Sequence, residues 1–452
     1  MRPEVCDLMT RRPVQGGSTK MTAEPRPVSE AGASTLQSIS SRVTPQGWWT
    51  LAVLTAIYVF ASMDRVALSV LLQPIKLEFH LNDQELGLLS GLAFAIFHSA
   101  FGVPLARVAD RFTRVKLIAA CTATWSVMMA LTGRAQNFTH LFLCRVGVGI
   151  GEAGCVPASH SLMGEYFSRE RRTLAVSLYQ TGAMLGASGG LFLVGVLGQK
   201  LGWRASLQII GLAGIPLALL ALVTLREGSR TKAAPPPQES TKKAVGALLG
   251  RPAFVHIALA NGLGSLCTFG LSNWTPTFMI RSFGFTLAQA GGWVGLVSGI
   301  AGGAGLISGG FISTWLMRRD PRWEVWLPAL MYSVSIPLFI ISFLSPSPWI
   351  SLEVRFFAQF CSAISGGVGF AAMHAFSEPF RRATAISLTM VLLSLLGNGF
   401  GPYLIGVVSD ILEPTFGKES LRYAMVASLL MLVWSVTHYL LAGRRHAKDR
   451  VN

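Results

Sequence analysis

The chain has 452 residues, of which 51% are hydrophobic and only 13% charged, with 47 glycines and a net charge of +16. That little charge cannot cover the surface of a soluble protein of this length, so an ordinary soluble domain is excluded. A nucleic-acid partner is excluded by where the basic residues fall: they gather in short segments between apolar stretches, as in the cytoplasmic loops of membrane proteins.

In chain order, residues 1–45 are rich in Arg, Pro, Ser, Thr and Gly and hold no apolar run. They lack a signal-peptide core and read as a disordered cytoplasmic tail, with Met21 an alternative start to Met1. A membrane-crossing helix needs about 20 mostly apolar residues. Such stretches run over Trp48–Leu72, Leu86–Arg107, Val115–Thr132, Leu141–Tyr166, Leu174–Leu201 and Ala205–Leu225. A polar loop with Pro235-Pro236-Pro237 and Lys242-Lys243 follows. Six more stretches are Ala253–Phe278, Leu287–Met317, Trp326–Phe343, Trp349–Phe376, Thr384–Leu412 and Tyr423–Leu441. The expected fold is an all-α membrane protein of 12 transmembrane helices, with six-helix halves at 46–226 and 251–442, a linker at 227–250 and a tail at 443–452.

Alternate loops carry the basic residues: Arg107, Arg111, Arg114 and Lys116; Arg169, Arg171 and Arg172; Arg226 to Lys243; Arg318, Arg319 and Arg322; Arg381 and Arg382; and Arg444 to Arg450. Both termini and the central linker are therefore expected in the cytoplasm. The six cysteines have no metal-site or disulfide spacing and read as small apolar packing residues. No phosphate loop, metal cluster or triad spacing is present. Neither a cofactor nor enzymatic activity is expected.

Four charges interrupt the apolar spans: Asp64 and Arg65 in the first, Arg145 and Glu152 in the fourth. A charge at the bilayer centre costs roughly 3 kcal/mol on insertion scales, so such residues need partners or water. Arg145 and Glu152 are two helical turns apart, about 10 Å along one face. Counted from the span ends, Asp64, Arg65 and Glu152 fall near the midplane. That depth predicts a network pairing Arg65 with Glu152, and Asp64 with Arg145 or water. Buried ion pairs stabilise poorly, which favours a functional reading. Burial favours a neutral carboxyl and a nearby Arg a charged one, so a carboxylate whose Arg partner comes and goes would take up and release a proton. Asp64 is the first candidate for that proton and Glu152 the second; Arg65 or Arg145 could hold an anionic substrate group.

Other polar residues are weaker candidates. His98, His160 and His374 read as helix-packing hydrogen bonders, and Arg355 as cavity-facing or snorkelling. Tyr179, Asn273 and Trp274 read as packing residues that could line a cavity. Gly182, Gly186, Gly189 and Gly190 allow close helix approach. The sequons at Asn137 and Asn273 lie at or within the membrane and read as fortuitous.

After the second span comes Ala106-Arg107-Val108-Ala109-Asp110-Arg111-Phe112-Thr113-Arg114, and the second half echoes it with Gly309-Gly310 through Thr314 to Arg318-Arg319-Asp320. This resembles the loop motif of the major facilitator superfamily, although Ala106 and Thr113 replace family glycines and Thr314 stands where Asp is frequent. In that motif Asp110 would accept hydrogen bonds from the N-terminus of a neighbouring helix and pair with Arg, with Arg111 and Arg114, as a cytoplasmic gate latch.

The stretch Arg145-Val146-Gly147-Val148-Gly149-Ile150-Gly151-Glu152-Ala153-Gly154, followed by Pro157, His160-Ser161-Leu162 and Tyr166-Phe167, is similar to Spinster-like transporters. So are Asp64-Arg65 through Pro74-Ile75-Lys76 to Gly87-Leu88-Leu89-Ser90-Gly91, and in the second half Trp274-x-Pro276, Arg281-Ser282, Gly399-x-Gly401-Pro402, Ser409-Asp410 and Glu419 to Tyr423. The resemblance implies a secondary carrier of lipid-like substrates in the plasma membrane, or the inner membrane of a bacterium. It also implies that Asp64 is the protonation site and that Arg65, Arg145 and Glu152 form the central polar network. Ala61, Ser62 and His374 depart from the family pattern near the expected cavity. The organic anion–cation symporters share the same charged pairs and would imply a small carboxylate instead. A membrane sensor and a lipid scramblase are the readings from other classes.

Overall fold

The structure, a computed structural model, describes residues 43–227, 240–378 and 381–449; the side chains of Asp110, Arg111 and His374 lie outside the described set. The N-terminal tail up to residue 42 and the triple proline of the linker also lie outside it. Among the described residues there is no strand.

Among the described residues, ten helical segments are long and apolar enough to cross a membrane. They are α1 (Pro45–Phe79), α2 (Asp83–Ala109), α3 (Arg114–Thr132), α4 (Phe138–Tyr166) and α5 (Glu170–Thr224), then α7 (Pro252–Phe283), α8 (Leu287–Met317), α9 (Trp323–Leu344), α10 (Pro348–Met373) and α11 (Thr384–Arg445). The short helix α6 (Thr241–Leu249) occupies the end of the linker, where the sequence reads as a polar loop. At 55 and 62 residues, α5 and α11 are each long enough for two crossings. α5 bends at Gly202, φ 82°, and α11 turns at Gly417, φ 53°, both in the left-handed region that glycine enters without steric cost.

Local chemistry sets the ends. The Thr44 hydroxyl caps α1 ahead of Pro45 at its first turn, and Asn82 with Glu85 forms a reciprocal capping box at the start of α2. Asn137, one of the two sequon residues, caps α4 by accepting from the His140 amide at 2.9 Å. Within α4 the ladder breaks at Gly154, just after Glu152. Pro157 has no N–H to give the Ala153 carbonyl, which accounts for the break. α2 widens into a π turn over Leu88–Leu92 and α11 into another over Leu393–Phe400.

Helices α1–α5 pack chiefly on one another, and α7–α11 likewise. The two groups meet where α5 runs beside α8, α1 beside α7, and α2 beside α11. Gly182, Gly186 and Gly190 bring α5 against Thr55, Val59 and Met63 of α1, whereas Gly189 faces open space. Large apolar side chains such as Val223, Ile307, Phe311 and Ile411 project outward, fully in keeping with a lipid-facing surface. The cysteines at 121, 144, 155, 267 and 361 are all free thiols.

Two faces of the bundle differ. One holds residues 44 and 445 and the ends of the helices beside them; the other holds the turns at His80, Gly202, Gly284 and Gly417. From this opposite face inward to the level of the central helices, α2 and α11 touch at backbone level. A Cβ on Gly91 would lie 2.4 Å from the Gly399 carbonyl oxygen and 2.9 Å from that of Asn398. Backbone cannot yield as a flexible side chain can. Gly91→Ala is therefore expected to wedge the groups apart on that face, lengthening the distance between spin labels at Arg134 and Thr415. An unchanged distance distribution would show that the contact does not hold the face closed.

Candidate functional site

The four charges anticipated in the spans come together. Asp64, Arg145 and Glu152 are buried, at 2%, 1% and 1% exposure. Arg65 Nε donates to Glu152 Oε2 at 2.6 Å, joining α1 to α4. The expected Arg65–Glu152 pair is thus present. Asp64 has no hydrogen bond at Oδ1, though Glu152, Arg145 and Arg65 all lie within its electrostatic reach. Arg145 instead turns its Nε toward the Leu89 carbonyl, at 3.4 Å, and leaves one terminal nitrogen without a partner. Leu89 lies in the π turn of α2, where the wider winding takes carbonyls out of the regular ladder; such turns recur at functional sites.

Phe94 organises this cluster, and nothing in the sequence distinguishes it from a packing aromatic. The Arg65 and Arg145 guanidinium carbons lie 5.5 and 5.6 Å from its ring centre, both in cation–π range. His98 stacks on the same ring, centroids 5.0 Å apart, with a buried and unpartnered Nδ1.

Arg65 and Arg145 reach a cavity of about 320 Å³ between the two helix groups. Its walls mix apolar Val66, Phe94, Leu191 and Phe269 with polar Ser62, Ser90, Asn273 and Asn398. Tyr58 also faces it and stacks flat on buried Tyr179, centroids 4.5 Å apart. His160 meets Tyr179 edge-on. Asn273 accepts from the Ser90 hydroxyl at 3.0 Å, while Trp274 is buried and donates to the Pro402 carbonyl at 2.8 Å. Arg355 neither lines this cavity nor snorkels. It is 1% exposed, lies over the Phe339 ring at 5.9 Å, and none of its three nitrogens is hydrogen-bonded.

Of the loop motif, Arg114 is described. It is buried at the start of α3 and forms an ion pair with Glu165 at the end of α4, inside its own helix group. Glu227 caps the same helix by accepting from the Val115 amide at 2.8 Å.

The opposite face carries a second charged cluster that the sequence reading did not pick out. Asp83, 1% exposed, accepts from Lys76 at 2.6 Å, from two Arg281 nitrogens at 2.6 and 2.8 Å, and from the Ser409 hydroxyl at 2.7 Å. Arg281 Nε also donates to Gln73 at 2.6 Å. Asp410, in α11, accepts from the amides of Asp83 and Gln84 at 2.9 and 2.7 Å. Helix termini leave their first amides without intrahelical partners. Asp410 therefore caps α2 from the other group, the contact expected of Asp110 at the face with the termini. Thr277 donating to the Ser69 carbonyl and Tyr403 bonded to Gln84 add to this seal.

A model of the Major Facilitator Superfamily matches residues 54–402. An MFS-type efflux pump of Mycolicibacterium smegmatis is 30% identical over 413 residues, which are 89% of this chain and 94% of that protein. The sphingosine-1-phosphate transporter SPNS2 of Xenopus tropicalis is 25% identical, over 82% of this chain and 75% of its own. Among solved structures, a bacterial homolog of the human lysosomal transporter Spinster, inward-facing and unoccupied, aligns with a TM-score of 0.84 at 29% identity, covering 90% of this chain and 99% of that one. The chain is a multi-pass integral membrane transporter that belongs to the major facilitator superfamily and to its Spinster-like branch.

Proposed function

We propose that this protein is a proton-coupled secondary carrier of an amphipathic, lipid-like organic substrate. Twelve crossings form two six-helix halves, at 46–226 and 251–442, which rock about the central cavity to expose it to either side in turn. Both termini are cytoplasmic in this reading, so the sealed face is the outer one and the arrangement is inward-facing. The protein resides in the plasma membrane, or the inner membrane of a bacterium.

One observation carries the proton assignment: buried Asp64 has an unbonded carboxylate oxygen within electrostatic reach of Arg145 and the Arg65–Glu152 pair. Such a carboxyl can take a proton without giving up a hydrogen bond at that oxygen. Differential affinity of proton and substrate for the two forms then shifts the balance between them. Arg65, whose side chain is 31% exposed and lines the cavity, suits an anionic head group, with buried Arg145 behind it, and the Phe94, Leu191 and Phe269 surface suits an apolar chain. The sphingosine-1-phosphate and efflux activities in the names of two relatives accord with such a cargo. Asp110, with Arg111 and Arg114, would latch the cytoplasmic side when the cavity opens outward.

The test is transport in proteoliposomes under imposed pH gradients, with a panel of lysolipids and small carboxylates. Accumulation of a lysolipid against its gradient is the expected result. Transport of a small carboxylate alone would replace the lipid reading by an organic-anion one. Equilibration of lysolipids that ignores the pH gradient would reduce the protein to a scramblase.

A further inference from the structure

On the face that holds the termini, the lipid-facing side of α8 runs into a cluster of arginines that the central site does not use. Ile307, Phe311 and Trp315 recur at every fourth position, so they form one stripe along α8, and they are 66%, 76% and 53% exposed. From Ile307 to Trp315 the helix rises about 12 Å, most of the apolar depth of one leaflet, about 15 Å. The next position in that spacing is Arg319, whose guanidinium carbon lies 4.0 Å from the centre of the Trp315 ring. A guanidinium stacked on an aromatic face keeps its N–H edges free for an acceptor. Beside it, Arg322 lies over the Trp326 ring at 5.7 Å, and Trp323 meets that ring edge-on. The end of α11 packs on the same tryptophan: a Cβ on Gly443 would lie 2.7 Å from Trp326 Nε1, and exposed Arg444 and Arg445 follow directly.

The described charges around the turn from α8 to α9 and the end of α11 are five arginines, at 318, 319, 322, 444 and 445, and two carboxylates, Asp320 and Glu324. Asp320 accepts from the Arg322 amide at 2.8 Å, and Glu324 is 4% exposed. With one arginine assigned to each carboxylate, three positive charges are left over. Glu378, in the turn from α10 to α11, is already engaged by Arg251 and Arg381. The tail beyond carries Lys448 and Arg450 against Asp449, so its charge adds to the excess and does not cancel it.

We propose that this corner is a docking site for an anionic glycerophospholipid of the bilayer, with the phosphate on Arg319 and Arg322 and an acyl chain along Trp315, Phe311 and Ile307. Basic residues at a membrane surface attract anionic head groups, and guanidinium donors match phosphate oxygens in a forked geometry. A soluble anion would use the arginines and leave the stripe bare. A zwitterionic lipid would cover the stripe and gain nothing from the excess charge. A lipid with net negative charge uses both. The stripe and its arginines lie on α8, α9 and α11, all in one helix group, so the site persists whichever way the central cavity opens. Such binding requires that the chain span a bilayer, which its family shows, and is independent of the proton coupling and cargo proposed above.

The experiment is native mass spectrometry of the full-length protein in detergent, titrated with phosphatidylglycerol, with phosphatidylcholine of the same acyl chains, or with glycerol 3-phosphate. Phosphatidylglycerol should be retained at a roughly tenfold lower concentration than phosphatidylcholine, and glycerol 3-phosphate should not be retained. Arg319→Gln and Arg322→Gln should each raise the half-saturating concentration of phosphatidylglycerol roughly fivefold, the worth of one basic residue at a charged lipid surface. Both positions are exposed, so the variants keep the fold. Lys116→Gln, an exposed charge on the same face in the other helix group, should leave that concentration unchanged. Equal retention of the two lipids overturns the proposal. So does a loss from Lys116→Gln as large as that from Arg319→Gln, which would spread the attraction over the whole face. Retention of glycerol 3-phosphate as tight as that of the lipid would replace the lipid site by one for a soluble phosphate.

Discussion

Arg281→Ala is expected to open the face sealed around Asp83. Arg281 is the charged side chain of α7 that reaches across to Asp83, with two hydrogen bonds to it and a third to Gln73. Its side chain is only 11% exposed, and that of Asp83 2%. Truncating one partner of a buried, hydrogen-bonded charge pair typically costs about 2–5 kcal/mol. Lys76 and Ser409 still satisfy part of Asp83 in the variant, so the lower end of that range applies. A cost of about 2–3 kcal/mol, borne by the sealed form alone, moves the balance toward the open form on the order of 10²-fold. The labels at Arg134 and Thr415 should then report a new, longer distance as the main population, and net transport should slow because return to the inward form becomes limiting. A distance distribution like that of the wild type would show that the seal rests on backbone contacts such as Gly91 with Gly399, not on the ion pair. Asp410→Asn should act in the same direction but less, since replacing a cap costs about 1 kcal/mol and Asn still accepts hydrogen bonds.

The central quartet was legible because a charge inside an apolar run is expensive wherever it occurs, so each member stands out alone. Depth counting along α1 and α4 then paired Arg65 with Glu152. It did not foresee that Arg145 would turn to a backbone carbonyl, because the π turn that offers Leu89 has no signature in the sequence. The cluster around Asp83 escaped for the opposite reason. Lys76, Asp83, Arg281 and Asp410 sit at span ends, where charges meet water and cost little. Asp83 and Arg281 are also 198 residues apart in the chain, and Asp83 and Asp410 are 327 apart. No local spacing connects them; only the packing of α1 against α7 and of α2 against α11 does. The apolar runs located the helices to within several residues, and the break they place between Leu201 and Ala205 is where the structure leaves helical geometry, at Gly202. Phe94 illustrates a further limit. Its role follows from having two guanidiniums within cation–π range of its ring, which an aromatic in an apolar helix does not advertise.

Asp64→Asn should abolish proton-driven accumulation while leaving downhill flux. Asn has the shape of a protonated Asp but cannot lose the proton, so the variant behaves at every pH as wild type does with the site filled. Each pH unit of gradient is worth about 1.4 kcal/mol per proton, or roughly tenfold accumulation for one proton per substrate. The variant's accumulation ratio should fall to one under the same gradient, whether proton and substrate move together or in opposite directions. Exchange of labelled for unlabelled substrate should persist, which separates lost coupling from lost folding. Little structural damage is expected, because the Asp64 Oδ1 position forms no hydrogen bond that Asn would have to replace. Glu152→Gln provides the contrast. It takes the charge from the 2.6 Å pair with Arg65 and leaves a guanidinium, 31% exposed toward the cavity, without its counter-ion. That change should disturb substrate binding and helix packing together, and exchange should fall along with accumulation. If Glu152→Gln instead removed only the pH dependence while Asp64→Asn kept it, the proton would reside on Glu152. The free oxygen of Asp64 would then be a feature of helix packing beside a relay carried by the Arg65–Glu152 pair.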